Sequence, residues 1–285
     1  MSRPIVTGAQ GFIGKHLIRD LDSAVRCDTV PGFGIWSPSE IELHFNTTNM
    51  IYHLGAISST TETNLNLIAE NNIRISCFLL DACIERNIPF IYASSASVYG
   101  LGENGFNEDA LLTPLNYYAI SKASFDTFVK QKIADHPNAK IVGLRYFNVY
   151  GTGENYKHAM ASPVHKFIKQ ANETGSIKIF KGSESFLRDF IHVSDVVNIT
   201  KLAYNMPSGI YNVGTGKPRS FFDVAKIVSS LTGANIEEIE FPTHLKGKYQ
   251  KYTCSNNNKI NTTDTDKLRL HLEAGIKEVY SFTDL

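Results

Sequence analysis

A doubly wound α/β fold, with a parallel sheet and a smaller α/β substrate-binding domain, is what this 285-residue sequence predicts. Three observations carry the prediction. Short apolar runs alternate with longer stretches of helical periodicity, the strand–helix–strand rhythm of a parallel sheet. A glycine triplet, Gly8, Gly11 and Gly14, joins the first apolar run to the first helical stretch. The rhythm changes after Gly151, where shorter and more mixed elements begin.

The elements follow in order. Residues 5–7 read as a buried strand, and 12–21 have helical spacing. Residues 24–27 form a second strand that ends at Asp28, and 29–49 carry no consistent period. A clear strand at 50–54 leads into a polar loop at 55–63 and a long helix at 64–86. The strand 90–94 precedes a helix opened by Tyr118 and running to 134, and 140–145 is the next strand. Beyond 151, a helix at 162–173 and a strand at 177–180 precede two strands, 190–193 and 210–213, that can return to the sheet. A helix at 221–232, an Asn-rich loop at 256–261 and a terminal helix at 267–280 complete the chain. The expected division is a dinucleotide-binding domain at 1–151, with 190–215 returning to it. Residues 152–189 and 216–285 are expected to form a substrate-binding lid over the strand ends, where such sheets bind ligands.

Bulk properties narrow the function. Lys+Arg and Asp+Glu both number 28, so no net field points to nucleic acid or to an anionic membrane. No apolar run is long enough to span a bilayer, and the chain enters a strand without a signal peptide, so a cytoplasmic protein is expected. Cys27, Cys77, Cys83 and Cys254 show no metal or CxxC spacing and read as free thiols, so no metal is expected.

The glycine triplet lets the backbone approach a pyrophosphate at a helix N-terminus. Asp28, at the end of the second strand, is spaced to hold a ribose; a turn-capping Asp is the competing reading. Farther on, Ser94-Ser95 ends a strand, and Tyr118 and Lys122 lie four apart on one helix face. An ammonium beside a phenol lowers its pKa, so a phenolate can take a proton near neutral pH, and a Ser hydroxyl can bind the same substrate oxygen. A Tyr and a Lys four apart are common on solvated helices. Their order after a glycine loop and a Ser-Ser strand end is what sets this pair apart.

With these residues in place, the chain resembles the extended short-chain dehydrogenases/reductases and, more narrowly, the ADP-heptose 6-epimerases of lipopolysaccharide core synthesis. The matching stretches include Gly55-Ala-Ile-Ser-Ser-Thr-Thr-Glu62, Pro89-Phe-Ile-Tyr-Ala-Ser-Ser-Ala96, Arg145-Tyr-Phe-Asn-Val-Tyr-Gly151, Lys157-His-Ala-Met-Ala-Ser162, Arg188-Asp-Phe-Ile-His-Val193, Tyr211-Asn-Val-Gly-Thr-Gly216 and Leu245-Lys-Gly-Lys-Tyr-Gln250. The resemblance implies a Rossmann-type fold and a nucleotide-sugar epimerase that oxidises and re-reduces C6″ with one bound nicotinamide cofactor. It assigns Ser95, Tyr118, Lys122 and Lys157 to catalysis, with Lys157 as a second acid–base group opposite the tyrosine. It assigns Phe12, Ile13, Leu54, Gly55, Ala56, Ser58, Asn71, Tyr118 and Lys122 to the cofactor, with Lys122 on the nicotinamide ribose, beside Gly8, Gly11, Gly14 and Asp28. Substrate contacts fall to Ser95, Asn148, Val149, Lys157, Phe180, Lys181, Gly182, Ser183, Arg188 and Tyr249. Arg188 would bind the pyrophosphate, for which a planar fork of donors is suited. The implied partners are ADP-heptose or a related nucleotide sugar and further copies of the chain.

The chain also departs from that pattern. Family members prefer NADP, yet residues 29–49 hold no Lys or Arg, so with Asp28 present NAD is the alternative. Ala159 stands for a substrate-contacting Ser, Lys166 replaces a His beside His165, and Pro163 interrupts the next helix start. These changes bear on the sugar, leaving another nucleotide sugar, or net reduction, as alternatives. A 4,6-dehydratase needs a carboxylate that Ala93-Ser-Ser-Ala-Ser97 lacks. A non-catalytic dinucleotide-binding protein is the reading from another class.

Overall fold

Burial deepens toward the carboxyl ends of the strands Arg3–Thr7 and Thr48–His53, and is complete along the interior strand Ile141–Tyr146. The structure, a computed structural model, describes residues 2–28, 37–242, 250–262 and 269–282. In chain order its elements begin with β1 (Arg3–Thr7), α1 (Phe12–Arg19), β2 (Val25–Cys27), α2 (Pro38–Glu42) and β3 (Thr48–His53). Helices α3 (Leu65–Ile68) and α4 (Ile75–Glu85) lead to β4 (Phe90–Ser95), α5 (Tyr117–Asp135) and β5 (Ile141–Tyr146). Then come β6 (Asn148–Tyr150), α6 (Pro163–Thr174), β7 (Ser176–Phe180), β8 (Leu187–Arg188), β9 (Phe190–His192) and α7 (Val193–Leu202). The chain continues with β10 (Gly209–Val213), β11 (Arg219–Ser220), α8 (Phe221–Thr232), β12 (Asn235–Ile239) and α9 (Leu272–Phe282).

Six strands form one sheet in the order β10-β5-β4-β3-β1-β2, and β2, β1, β3, β4 and β5 pair in parallel with their neighbours. Every residue of β5 is buried, the mark of a strand covered on both faces. The chain runs from β1 outward to β2 and then back to β3 on the other side. That reversal opens a crevice at the carboxyl ends of β1 and β3, where open α/β sheets bind ligands.

Two compact units emerge from the packing. The first comprises 1–100, 112–146 and 197–212; the second comprises 101–111, 147–196 and 213–285. The first unit's core packs Ile5, Ile51, Phe90 and Tyr92 of the sheet against Leu79, Leu80, Phe125 and Val129 of the helices. The second packs Phe167, Ile168, Val224 and Val228 around Ile177 and Ile276. Among the described residues, no helix is long and apolar enough to cross a membrane.

Several elements differ from the sequence reading. The helix expected at 64–86 is interrupted by a π segment, Ala69–Arg74, from which the buried Asn72 carboxamide reaches the Ile57 backbone. Within the undecided stretch, α2 carries a capping box between Ser37 and Glu40, a signal present in Ser37-Pro-Ser-Glu40. Of the two later strands expected to return to the sheet, β10 joins it, whereas β9 pairs with β6 outside it. Helix α7 was not anticipated: only Val193 fell within an expected strand, the rest was left unassigned, and tertiary packing overrides the weak strand preference of its β-branched residues. Pro163 does not interrupt α6 but starts it, behind the Ser162 N-cap, where a missing N–H costs nothing. Strand β12 was also missed; it pairs in parallel with β7. The terminal helix, expected at 267–280, is α9; residues 263–268 lie outside the described residues.

Candidate active site

The crevice between β1 and β3 is lined by backbone brought close because glycine permits it. Gly8 has φ of +66°, and a Cβ there would lie 2.7 Å from the Gly55 nitrogen. A Cβ at Gly14 would lie 2.0 Å from the Gly8 carbonyl oxygen, so α1 can begin here only with glycine. The Thr7 hydroxyl accepts from the Gly55 N–H at 3.1 Å, and the Leu54 N–H donates to the Thr7 carbonyl at 3.2 Å. Among the described residues, Gly11 caps α1 without a side-chain bond of its own. Phe12 is buried and meets His16 edge-on, while Ile13 is half-buried on the same first turn. A loop of bare backbone at a helix start on the switch point fits the pyrophosphate of a dinucleotide.

The ribose end is less simple. Asp28 accepts from the Gln10 N–H at 2.7 Å, so its carboxylate already braces the glycine loop. Ala56 is half-buried and Ser58 exposed in the loop after β3. The Asn71 carboxamide turns back to donate to the Leu67 carbonyl at 2.8 Å. Asn72, beside it, had no sequence-assigned role, yet it donates to the Ser121 hydroxyl at 3.0 Å and ties the π segment to α5.

Ser95, Tyr118 and Lys122 converge at the carboxyl end of β4. Asn116 caps α5 by accepting from the Ala119 N–H at 2.9 Å, which fixes the start of the helix and the direction of Tyr118. The Ser95 hydroxyl and the Tyr118 phenol lie near enough for the one to act on the pKa of the other. Burial pushes the Tyr118 phenol up, against the Ser95 hydroxyl that pulls it down. The expected lowering by Lys122 is therefore not what this structure shows. Lys122 instead donates to the Ala93 carbonyl at 2.8 Å, and burial brings its pKa down to about 8.

In the second unit, Lys157 pairs with Glu154 at 2.9 Å. Glu154 is wholly buried and also accepts from the Ser162 N–H at 2.8 Å and the Ser162 hydroxyl at 2.6 Å, so one carboxylate orders the segment between β6 and α6. Next to Lys157, His158 has φ of +45°, a conformation that costs energy for any residue but glycine. Asn148 accepts from the Thr253 hydroxyl at 3.3 Å, and Val149 beside it is half-buried. Phe180 packs against Phe241 with ring centroids 5.3 Å apart, Lys181 pairs with Glu240, and Gly182 turns the chain at φ of +79°. The buried Ser183 hydroxyl has no hydrogen-bond partner among the described residues. Arg188 lies over the Phe221 ring at 5.4 Å and donates to the carbonyls of Leu187 and Gln250. Tyr249 lies outside the described residues. Asp189, which sequence reasoning passed over, accepts from the N–H groups of Thr215, Gly216 and Ser255 and braces the loop after β10. Its only signal was its place inside the Arg188–Val193 stretch.

Known proteins show the same pattern. The model of the "NAD dependent epimerase/dehydratase family" matches residues 37–214. The chain is 38% identical over 303 residues to an ADP-L-glycero-D-manno-heptose-6-epimerase of Brachyspira hyodysenteriae, covering 96% of this chain and 95% of that protein. It is 37% identical over 305 residues to the protein of the same name from Alkalilimnicola ehrlichii, covering 96% and 95%. Among solved structures, the Helicobacter pylori ADP-L-glycero-D-manno-heptose-6-epimerase superposes with a TM-score of 0.82 at 28% identity, over 98% of this chain and 95% of that one. With the switch-point crevice, the Ser–Tyr–Lys cluster and relatives that span nearly its whole length, the chain belongs to the NAD dependent epimerase/dehydratase family of enzymes.

Proposed function

We propose that this protein is a nucleotide-sugar epimerase that inverts C6″ of ADP-glycero-manno-heptose. The observation that carries the chemistry is the convergence of Ser95, Tyr118 and Lys122 at the end of β4, beside a loop fit for a dinucleotide. Identity of 38% to a curated heptose epimerase supports the sugar. A bound nicotinamide supplies the acceptor and return donor of the two electrons. The chain's own residues handle the proton and the orientation. Ser95 holds the reacting hydroxyl, and Tyr118 takes or gives its proton. Lys122 orders the cofactor ribose, and the positive charge that would favour the phenolate comes with the oxidised nicotinamide. Lys157 is the second acid–base group, held by Glu154. Two such groups suit a reaction in which the oxygen changes place as the transient C6″ aldehyde turns. Arg188 and the 180–183 turn are assigned to the nucleotide diphosphate, in keeping with the guanidinium's donor fork.

On the cofactor, Asp28 supports NAD, since a carboxylate at the end of β2 disfavours a 2′-phosphate. The first test is NMR of the purified protein with ADP-D-glycero-D-manno-heptose and no added cofactor. A mixture of the two C6″ epimers is the expected result. No conversion, even after NAD and NADP are supplied separately, would overturn the substrate assignment; Ala159 and Lys166 would then direct the search to other nucleotide sugars.

A further inference from the structure

Three successive residues of β4 hold α5. The Tyr92 hydroxyl donates to Asp126 Oδ1 at 2.8 Å, the Ala93 carbonyl accepts from Lys122 Nζ at 2.8 Å, and the Ser94 hydroxyl donates to Asp126 Oδ2 at 3.0 Å. From β5, Arg145 Nε donates to Asp126 Oδ2 at 2.8 Å. Arg145 Nη1 donates to the Tyr99 hydroxyl at 2.8 Å, and that hydroxyl donates to Asn212 Oδ1 on β10 at 2.7 Å. The side chains of Arg145 and Asp126 are 0% and 1% exposed. Tyr118, Lys122 and Asp126 follow at intervals of four, so they share one face of α5.

A buried ion pair is a poor device for stability alone, because apolar side chains of similar volume do as well or better. Its position is what gives it a use. Bonds from both flanking residues of Ala93 to one carboxylate fix α5 along its axis and about it. The phenol of Tyr118 is thereby kept at Ser95, and Lys122 Nζ at the Ala93 carbonyl. The carboxylate also brings a negative charge one turn from an ammonium whose burial disfavours it.

We propose that Asp126 is the positioning residue of the Tyr118–Lys122 pair: tied to β4 and β5 by Tyr92, Ser94 and Arg145, it sets where α5 lies and provides the buried charge that sustains the Lys122 ammonium. This rests on the catalytic assignment of Tyr118 and Lys122 made above. The charged and titratable groups around Lys122 are Tyr118 and Asp126 on α5, Tyr92 on β4 with Tyr99 just beyond it, Arg145 on β5 and His53 on β3. His53 is kept neutral by burial and so adds no positive charge, and Asp126 is the carboxylate of this set.

The test is direct titration of Lys122 by NMR of protein carrying [ε-13C]lysine, with the signal assigned through Lys122→Arg. In Asp126→Asn the Lys122 midpoint is expected to fall by about one pH unit or more. Relative to a wild type that turns over, kcat of Asp126→Asn is expected to drop about tenfold with KM unchanged, because positioning acts in the transition state. Asp126→Glu, which keeps the charge, should restore the Lys122 midpoint. Should Asp126→Asn fail to fold for want of a partner for Arg145, the double variant Asp126→Asn/Arg145→Gln leaves no unpaired guanidinium; because it also removes a positive charge, a smaller fall of the Lys122 midpoint in the same direction is expected. A folded variant with an unmoved Lys122 midpoint would overturn the proposal. The lysine signal needs no substrate, so a wild type that fails to epimerise the heptose sinks the substrate assignment without touching this result.

Discussion

Tyr118 is caught between two effects of its own surroundings. Burial holds its proton on, and the Ser95 hydroxyl helps take it off. A phenol so placed keeps its proton, and it becomes a base only when positive charge is added beside it. Tyr118→Phe removes the transferable proton while keeping the ring and its packing. Turnover is expected to fall by about 10²–10⁴-fold, the usual worth of a positioned acid–base group, with dinucleotide affinity retained. Near-normal kcat in this variant would end the acid–base assignment. At this scale the sequence was readable where spacing alone decides, as for Tyr118 and Lys122 on one helix face and for the glycine triplet. It was silent on Asp126, Glu154, Asp189 and His53. Asp126, Asp189 and His53 are buried polar residues whose partners lie far away in the chain, and Glu154, whose partners Lys157 and Ser162 are near in sequence, is buried by folding alone, so no local pattern announces any of them. Arg145 was visible only as the first residue of a recognised stretch, with no hint that it would bury its charge against Asp126.

Elements carried over from sequence to structure when their period was strong and their ends were marked. The strands β1, β3, β4 and β5 were legible as apolar runs because both their faces are covered. Helix α7 and strand β12 were not: Val193-Ser-Asp-Val-Val and Asn235-Ile-Glu-Glu-Ile carry propensities that point the other way, and packing decided them. The junction of β1 and α1 is where an element boundary becomes functional. Gly14→Ala would drive a methyl into the Gly8 carbonyl, and α1 must retreat from the loop. An overlap of this kind costs about 1–3 kcal/mol. The sheet core is untouched, so the variant should fold, while dinucleotide affinity measured by calorimetry weakens about tenfold or more. Unchanged affinity in a folded Gly14→Ala protein would mean that the loop does not cradle the pyrophosphate.

For the molecule as a whole, buried titratable groups set how stability follows pH. His53 is 2% exposed on β3, with the Thr7 hydroxyl 2.8 Å from Nδ1 and the Ser76 hydroxyl 2.8 Å from Nε2. Burial, helped by the nearby Lys122 charge, lowers its pKa from 6.5 to about 3. Between those values the unfolded chain takes up a proton that the folded chain refuses. Stability from this group is therefore complete above pH 6.5 and is lost as pH falls, by about 1.4 kcal/mol for each pH unit across the window. Asp195 works in the opposite sense. Burial raises it from 3.8 to about 6, so the folded chain holds a proton there that the unfolded chain releases, and stability is gained as pH falls through that range. The two slopes oppose each other between about pH 6 and 4, and they belong to different units, His53 to the first and Asp195 to the second. Urea midpoints between pH 7 and 4 separate them. Asp195→Asn, neutral in both states, should steepen the loss of stability on acidification. His53→Gln, which can still bond Thr7 and Ser76 without titrating, should flatten it. Profiles that run parallel to the wild type in both variants would mean that neither group governs the acid limb, and that the carboxylates of the surface do.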